Sequence, residues 1–165
     1  MYRPGGKDYL YVNDNSALKI NKEYIEQLKI LAQKNSLKKS KMCLHNDIRK
    51  HVHEMINVFP EGAYVRPHFH PLKTETQVII EGKMLMIVFD GAGKIVDNFI
   101  MEKDGIFMFR LEKGMIHTNI PLSDVVIYEV TDGPFLGKDD SVFPEWASET
   151  EYGDEIKKLI NMARQ

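Results

Sequence analysis

The sequence predicts a mainly β fold, a sandwich or barrel of short strands with one helix before it and one after it. Three observations carry that reading. Short apolar runs follow one another from Met42 onward. Turn signals separate them at roughly 8 to 12 residue spacing, as in all-β sandwiches and barrels. No helix-patterned segment lies between the runs, which argues against βαβ units.

Taken in order, residues 1–19 have little periodicity and read as an arm. Asn21 then fits a helix N-cap, with Tyr24, Ile25, Leu28 and Leu31 at helical spacing and Ile20 placed to staple against Ile25. Asn35-Ser36 ends that helix. The strand-sized runs are HEMINVF, AYVRPHFH, TQVII, KMLMIVFD, KIVDNFIM, IFMFRL and VVIYEV. Turns fall at Pro60-Glu61-Gly62, Pro71-Leu72-Lys73, Glu81-Gly82-Lys83, Asp90 to Gly93, Lys103-Asp104-Gly105 and Glu112-Lys113-Gly114. Met84, Met86, Met101, Met108 and Met115 read as core. Gly133 to Trp146 is Pro-rich and irregular, and Trp146 is placed to close one end of the barrel or cover a subunit edge. A last helix is expected over Asp154 to Arg164, burying Ile156, Leu159, Ile160 and Ala163. The organisation is an arm and helix over 1–41, a barrel over 42–147 and a helix over 148–165, in one domain.

With 165 residues, 43% of them hydrophobic and 28% charged, the chain can bury a core. A net charge of -2 gives no general electrostatic grip on nucleic acid or anionic lipid. The local basic run Lys34 to Lys41 reads as a solvated helix end or linker rather than a binding site. One cysteine, Cys43, rules out an intrachain disulfide and reads as a buried thiol. The polar start MYRPGGKDYL does not resemble a signal peptide, and no apolar run approaches the roughly 20 residues of a membrane span, so a cytoplasmic protein with no membrane or nucleic-acid partner is expected.

The chemistry concentrates at RPHFHP, residues 66–71. On a strand, alternation would turn His68 and His70 one way together with Tyr64 and Arg66, and Val65 and Phe69 the other. Two imidazoles on one strand can fill adjacent coordination positions of a metal ion. Glu75, opening the next strand, can bring a carboxylate, and His117 a third imidazole. Three imidazoles and a carboxylate suit Fe(II), Mn(II), Ni(II), Co(II) or Zn(II), and would leave positions open for a ligand. His51 and His53 form a second His-x-His pair, but position 58 is Val58, so no carboxylate follows at the corresponding place. That pair is the weaker ligand candidate, and His53 is expected either to line the same cavity or to be hydrogen-bonded within the core. Arg66 suits a carboxylate or phosphate, or takes a partner at the surface. Tyr64 suits a hydrogen bond to a sugar hydroxyl or the role of an acid, or packs in the barrel. Glu129, between Tyr128 and Val130, can orient a ligating histidine or face solvent.

These residues resemble the cupin superfamily. Its first motif is a glycine, five residues, His-x-His, three or four residues, a glutamate, six residues and a glycine; Gly62, His68, His70, Glu75 and Gly82 occupy those places. Of the second motif, Gly105, Gly114 and His117 match, while Glu112 stands at the usual proline and Pro121 at the usual asparagine. The segments CLHNDIRKHVHEM, YVRPHFHP, YEVTDGPF and FPEWA are similar to signatures of WbuC-type cupin-fold metalloproteins, over most of residues 42–147. The resemblance implies a double-stranded β-helix, the cupin jelly roll, with a buried divalent transition metal held by His68, His70, Glu75 and His117. It also implies a setting in bacterial surface-polysaccharide (O-antigen) gene clusters and pairing into a homodimer. The expected function is therefore that of a metal-binding cupin acting on a sugar or nucleotide-sugar, as an isomerase- or epimerase-like enzyme. An Fe(II) dioxygenase-type cupin and a non-catalytic metal-dependent protein binding a sugar-like or acidic small molecule stand beside it.

Overall fold

The structure is a computed structural model in which residues 17–165 are described in full and, of the residues before them, the backbone of two short strands. Among the described residues ten strands form two sheets. In chain order they are β1 (Tyr2–Pro4), β2 (Tyr9–Val12), β3 (Ser40–Cys43), β4 (Val52–Phe59), β5 (Glu75–Glu81), β6 (Lys83–Phe89), β7 (Ile95–Glu102), β8 (Met108–Leu111), β9 (Ile116–Pro121) and β10 (Val125–Asp132). One sheet has the order β1-β2-β3-β4-β10-β5-β8 and the other β7-β6-β9. All pairings are antiparallel except β2 with β3. The fold is mainly β, a jelly roll with one helix near each end of the chain, as the sequence predicts. Strands β1 and β2 fall within the residues read as an arm, whose remaining positions 1, 5–8 and 13–16 lie outside the described residues.

Helix α1 (Lys22–Lys34) begins where the Asn21 side chain accepts from the Tyr24 amide and ends at Asn35. It lays Ile25, Leu28 and Ala32 over Met42, Ile56, Val58 and Val126 on the outer face of the larger sheet, with Ile20 packed alongside. Helix α2 (Asp154–Ala163) does the same for the smaller sheet, packing Ile156, Leu159 and Ile160 on Leu85, Ile87, Phe89 and Ile120. With a helix over each outer face, both faces of the central strands are buried, which explains near-continuous apolar runs such as MLMIVF.

The interior between the sheets is divided. At one end Phe59, Ile79, Met84, Met86, Met101, Val125 and Ile127 close into a core. At the other end the same inward rows turn polar: β4 reads His53, Met55, Asn57, Phe59; β5 reads Glu75, Gln77, Ile79; β10 reads Val125, Ile127, Glu129, Thr131. The polar ends of these rows line one cavity of about 630 Å³. Gly82, in the tight link between β5 and β6, has a φ of +88°, and a Cβ there would run into the Asp124 carbonyl.

Two expectations need correction, and one strand falls outside the strand-sized runs named from the sequence. AYVRPHFH is not a regular strand: only His68 and Phe69 make bridges, to His117 and Val142. Pro67 and Pro71 supply no N–H there, so a continuous ladder cannot form. IHTNIP, with no strong alternation, is nevertheless strand β9. Met84, Met86 and Met101 are core, but Met108 and Met115 are 53% and 38% exposed, because β8 lies at a sheet edge and Met115 in the turn before β9.

Candidate metal centre

The bridge between His68 and His117 is reciprocal. The His68 amide donates to the His117 carbonyl at 3.0 Å, and the His117 amide to the His68 carbonyl at 2.9 Å. This clamp sets the two imidazoles side by side, with ring centroids 4.6 Å apart. On the other side, Phe69 and Val142 exchange amide bonds at 3.0 and 2.9 Å. The Gly114 amide, in a turn with φ of +78°, donates to the His70 carbonyl at 2.9 Å. The segment that is not a strand is thus fixed from both flanks.

Among the described residues, His68, His70 and His117 bring ligating atoms within 4.8 Å of one another. Each ring is oriented by a backbone carbonyl at Nδ1: Arg66 at 2.9 Å for His68, Asp140 at 2.6 Å for His70 and Met115 at 3.1 Å for His117. A carbonyl can only accept, so each Nδ1 carries the proton and Nε2 is the atom left to face the cavity. This is the arrangement by which outer partners fix a metal-ligating histidine. The Nε2 of His117 is buried with no hydrogen-bond partner among the described residues. An orphaned buried acceptor costs about 1–3 kcal/mol, and a bound cation would remove that cost. The donor set fits a divalent transition metal.

Glu75 adjoins this trio. Its Oε2 lies 3.0 Å from His70 Nε2 and its Oε1 3.9 Å from His117 Nε2. Gln77 Nε2 donates to its Oε1, and Asn119 Nδ2 donates to Gln77 Oε1 at 3.0 Å. Burial favours neutral Glu75, but the His70 hydrogen bond and the nearby imidazoles outweigh it and hold the carboxyl near 2. Burial also disfavours protonated His70, yet Glu75 outweighs it and raises that imidazole above its ordinary value. Burial, then the charge of His117, pushes His68 down to about 3, and burial lowers His117. Burial thus favours the neutral, metal-binding form of His68 and His117, while the Glu75 carboxylate favours a proton on His70.

The structure also locates the other sequence candidates. Glu129 lines the cavity and accepts from Asn57 Nδ2 at 2.9 Å. Burial, then the charge of Glu75, raises its carboxyl to about 7. Tyr64 and Arg66 line the cavity too, but their polar tips bind the chain after the barrel: Tyr64 Oη donates to the Ser148 carbonyl at 2.6 Å, Arg66 Nε to the Ala147 carbonyl at 3.2 Å, and Arg66 Nη1 pairs with Glu149 at 3.1 Å. His53 is buried on the cavity wall, stacked on His45 with centroids 4.0 Å apart, and its Nε2 meets the Ile48 carbonyl at 3.1 Å. His51 is exposed. Trp146 packs against Phe89 with its ring tilted, centroids 5.1 Å apart, and its Nε1 donates to the Gly91 carbonyl at 3.2 Å.

Sequence reasoning missed Lys73 and Asp140. Lys73 is buried and pairs with Asp140 at 2.5 Å, and the Asp140 carbonyl is the one that orients His70. Lys73 reads as a turn residue and Asp140 as loop. Gln77 and Asn119 were missed as well, although the change from polar to apolar along the inward row of β5 is a signal visible in the sequence.

The fold is a two-sheet jelly roll with a cluster of three imidazoles in its cavity. Residues 20–101 match the family model described as Domain of unknown function (DUF6016). No curated protein sequence matches the chain. Among solved structures, the capsular polysaccharide assembling protein CapF from Staphylococcus aureus is similar in two crystal structures. One has a TM-score of 0.51 at 17% identity over 58% of this chain and 27% of that one; the other, in space group C2221, has 0.53 at 15% over 65% and 31%. CapF with the inhibitor 3-isopropenyl-tropolone gives 0.52 at 16% over 64% and 34%. The chain spans about a third or less of the length of those proteins, and the likeness is one of fold. Among the described residues no helix is long and apolar enough to cross a membrane.

Proposed function

We propose that the protein is a metal-dependent cupin enzyme acting on a sugar or nucleotide-sugar, of the WbuC type, in the biosynthesis of bacterial surface polysaccharide. The observation that carries this reading is the convergence of three imidazoles, each pinned at Nδ1 by a carbonyl, at one end of a cavity that also holds Glu129. His68, His70 and His117, with Glu75 beside them, would hold the ion. A divalent ion there supplies Lewis acidity toward a carbonyl or hydroxyl oxygen. The chain's own residues supply the rest. Glu129, with a proton affinity near neutral pH, gives or takes a proton on the substrate, and Asn57 fixes its orientation. The Gln77–Asn119 chain keeps Glu75 turned toward the imidazoles. Arg66 and Tyr64 hold the loop after the barrel against the mouth. The polysaccharide setting rests on the WbuC-type segments, and the fold shared with CapF accords with it.

The test is elemental analysis of tag-free protein purified without added metal. About one equivalent per chain is expected, lost in His68→Ala/His70→Ala. Iron with oxygen uptake would instead favour an oxygenase. No metal in the wild type, and none taken up on reconstitution, overturns the proposal.

A further inference from the structure

Strand β9 turns His117 and Asn119 to one face, and both line the cavity, while Thr118 between them donates through Oγ1 to the Val65 carbonyl. Side chains two positions apart on a strand leave the backbone about 7 Å from one another. His117 stands in the imidazole cluster. Asn119 stands at the boundary with the apolar core, opposite Met86 in the register of β6 with β9, and is 4% exposed.

The Asn119 amide has a fixed orientation. Its Nδ2 donates to Gln77 Oε1 at 3.0 Å, and Gln77 Nε2 donates to Glu75 Oε1. Turning round Asn119, Gln77 or both would set an amide oxygen against an acceptor oxygen, either Gln77 Oε1 or the Glu75 carboxylate. Asn119 Oδ1 is therefore the oxygen left over. It is buried, with no hydrogen-bond partner among the described residues. His117 Nε2 is in the same position, on the same face of the same strand. A buried acceptor without a donor is costly. What enters the cavity can relieve both atoms: a cation at His117 Nε2 and a hydrogen-bond donor at Asn119 Oδ1.

We propose that Asn119 is a specificity-determining residue, whose Oδ1 accepts a hydrogen bond from a hydroxyl of the ligand beside the oxygen held at the imidazole cluster. One oxygen of the ligand would go to the cation, and the proton of a hydroxyl one carbon further along would go to Asn119. An α-hydroxy carbonyl or α-hydroxy carboxylate carries these two groups on adjacent carbons, and open-chain sugars are of this kind. A ligand without that hydroxyl proton would leave Asn119 Oδ1 orphaned, and a site built around a buried polar partner rejects such analogues. This deepens the proposed function and rests on it for the metal-held oxygen.

Isothermal titration of the full chain as purified, with metal content assayed, tests it with glycolate and methoxyacetate. The ether carries a methyl group in place of the hydroxyl proton. Wild type is expected to bind glycolate about tenfold more tightly. Asn119→Ala should lose that preference. Asn119→Asp keeps an acceptor oxygen but no donor for Gln77, and should retain the preference, which separates the acceptor from a role in holding Gln77 and Glu75. Wild-type crystals soaked in glycolate give a second readout that needs no variant: the glycolate hydroxyl should lie within hydrogen-bonding distance of Asn119 Oδ1. Binding of neither probe, equal binding of both by wild type, or an unchanged preference in Asn119→Ala overturns the inference. So does loss of the preference in both variants, or a buried water on Oδ1 that glycolate leaves in place. A chain without metal that still prefers glycolate through Asn119 would count against the metal centre alone. A metal-bearing chain without the preference would count against this inference alone.

Discussion

The chain carries two His-x-His pairs, and they come to different ends. His68 and His70 converge with His117, every ring fixed at Nδ1 by a carbonyl and every Nε2 directed inward. His51 is exposed, before β4 begins, and His53 lies flat against His45 with its Nε2 on the Ile48 carbonyl. Identical spacing therefore does not give the two pairs the same surroundings. The difference lies in what holds each ring, and in whether a third ligand and a carboxylate arrive from other strands.

The largest effect expected from breaking this comparison is on metal content. His68→Ala/His70→Ala should abolish it, whereas His51→Ala/His53→Ala should leave it at the wild-type level by elemental analysis. Loss in both, or in neither, would erase the distinction. Next comes Glu75→Gln, which removes the charge beside two imidazoles and should weaken metal affinity roughly 10- to 100-fold, measured by competition with a chromophoric chelator. Asp140→Ala should leave Lys73 buried without its partner at a cost of about 3 kcal/mol, read from denaturant midpoints. It should also loosen the His70 carbonyl contact, so that metal affinity falls with it.

The smallest effect belongs to the stacked pair. Burial, then the charge of His53, holds His45 near 4, and burial, then the charge of Lys73, lowers His53. A histidine depressed in the folded state takes up its proton first in the unfolded chain. Stability should therefore fall as pH drops from about 6.5 toward 4. Discounted for solvent screening, the loss is roughly 1–2 kcal/mol. Urea midpoints at pH 7 and pH 4.5, compared with those of His45→Gln/His53→Gln, would show it; an equal decline in both proteins would contradict the assignment.

Much of the fold was legible because its signals are local. Asn21 caps its helix through its own side chain, and Ile156, Leu159 and Ile160 face one way by helical period alone. The spacing of His68, His70 and Glu75 was legible for the same reason. Other features depend on residues far apart in sequence. Nothing local tells that Lys73 pairs with Asp140, or that a loop carbonyl orients His70. Alternation alone makes AYVRPHFH look like a strand, but Pro67 within it and Pro71 just after it supply no N–H for a continuous ladder. The exposure of Met108 and Met115 is not legible in the sequence, because periodicity does not reveal which strand lies at an edge.

The most direct measurement is an anomalous-difference map from a crystal of protein purified without added metal, at an absorption edge chosen from the elemental analysis. A single peak within bonding distance of Nε2 of His68, His70 and His117 is predicted. No peak there, or a peak beside His45 and His53 instead, would contradict the account.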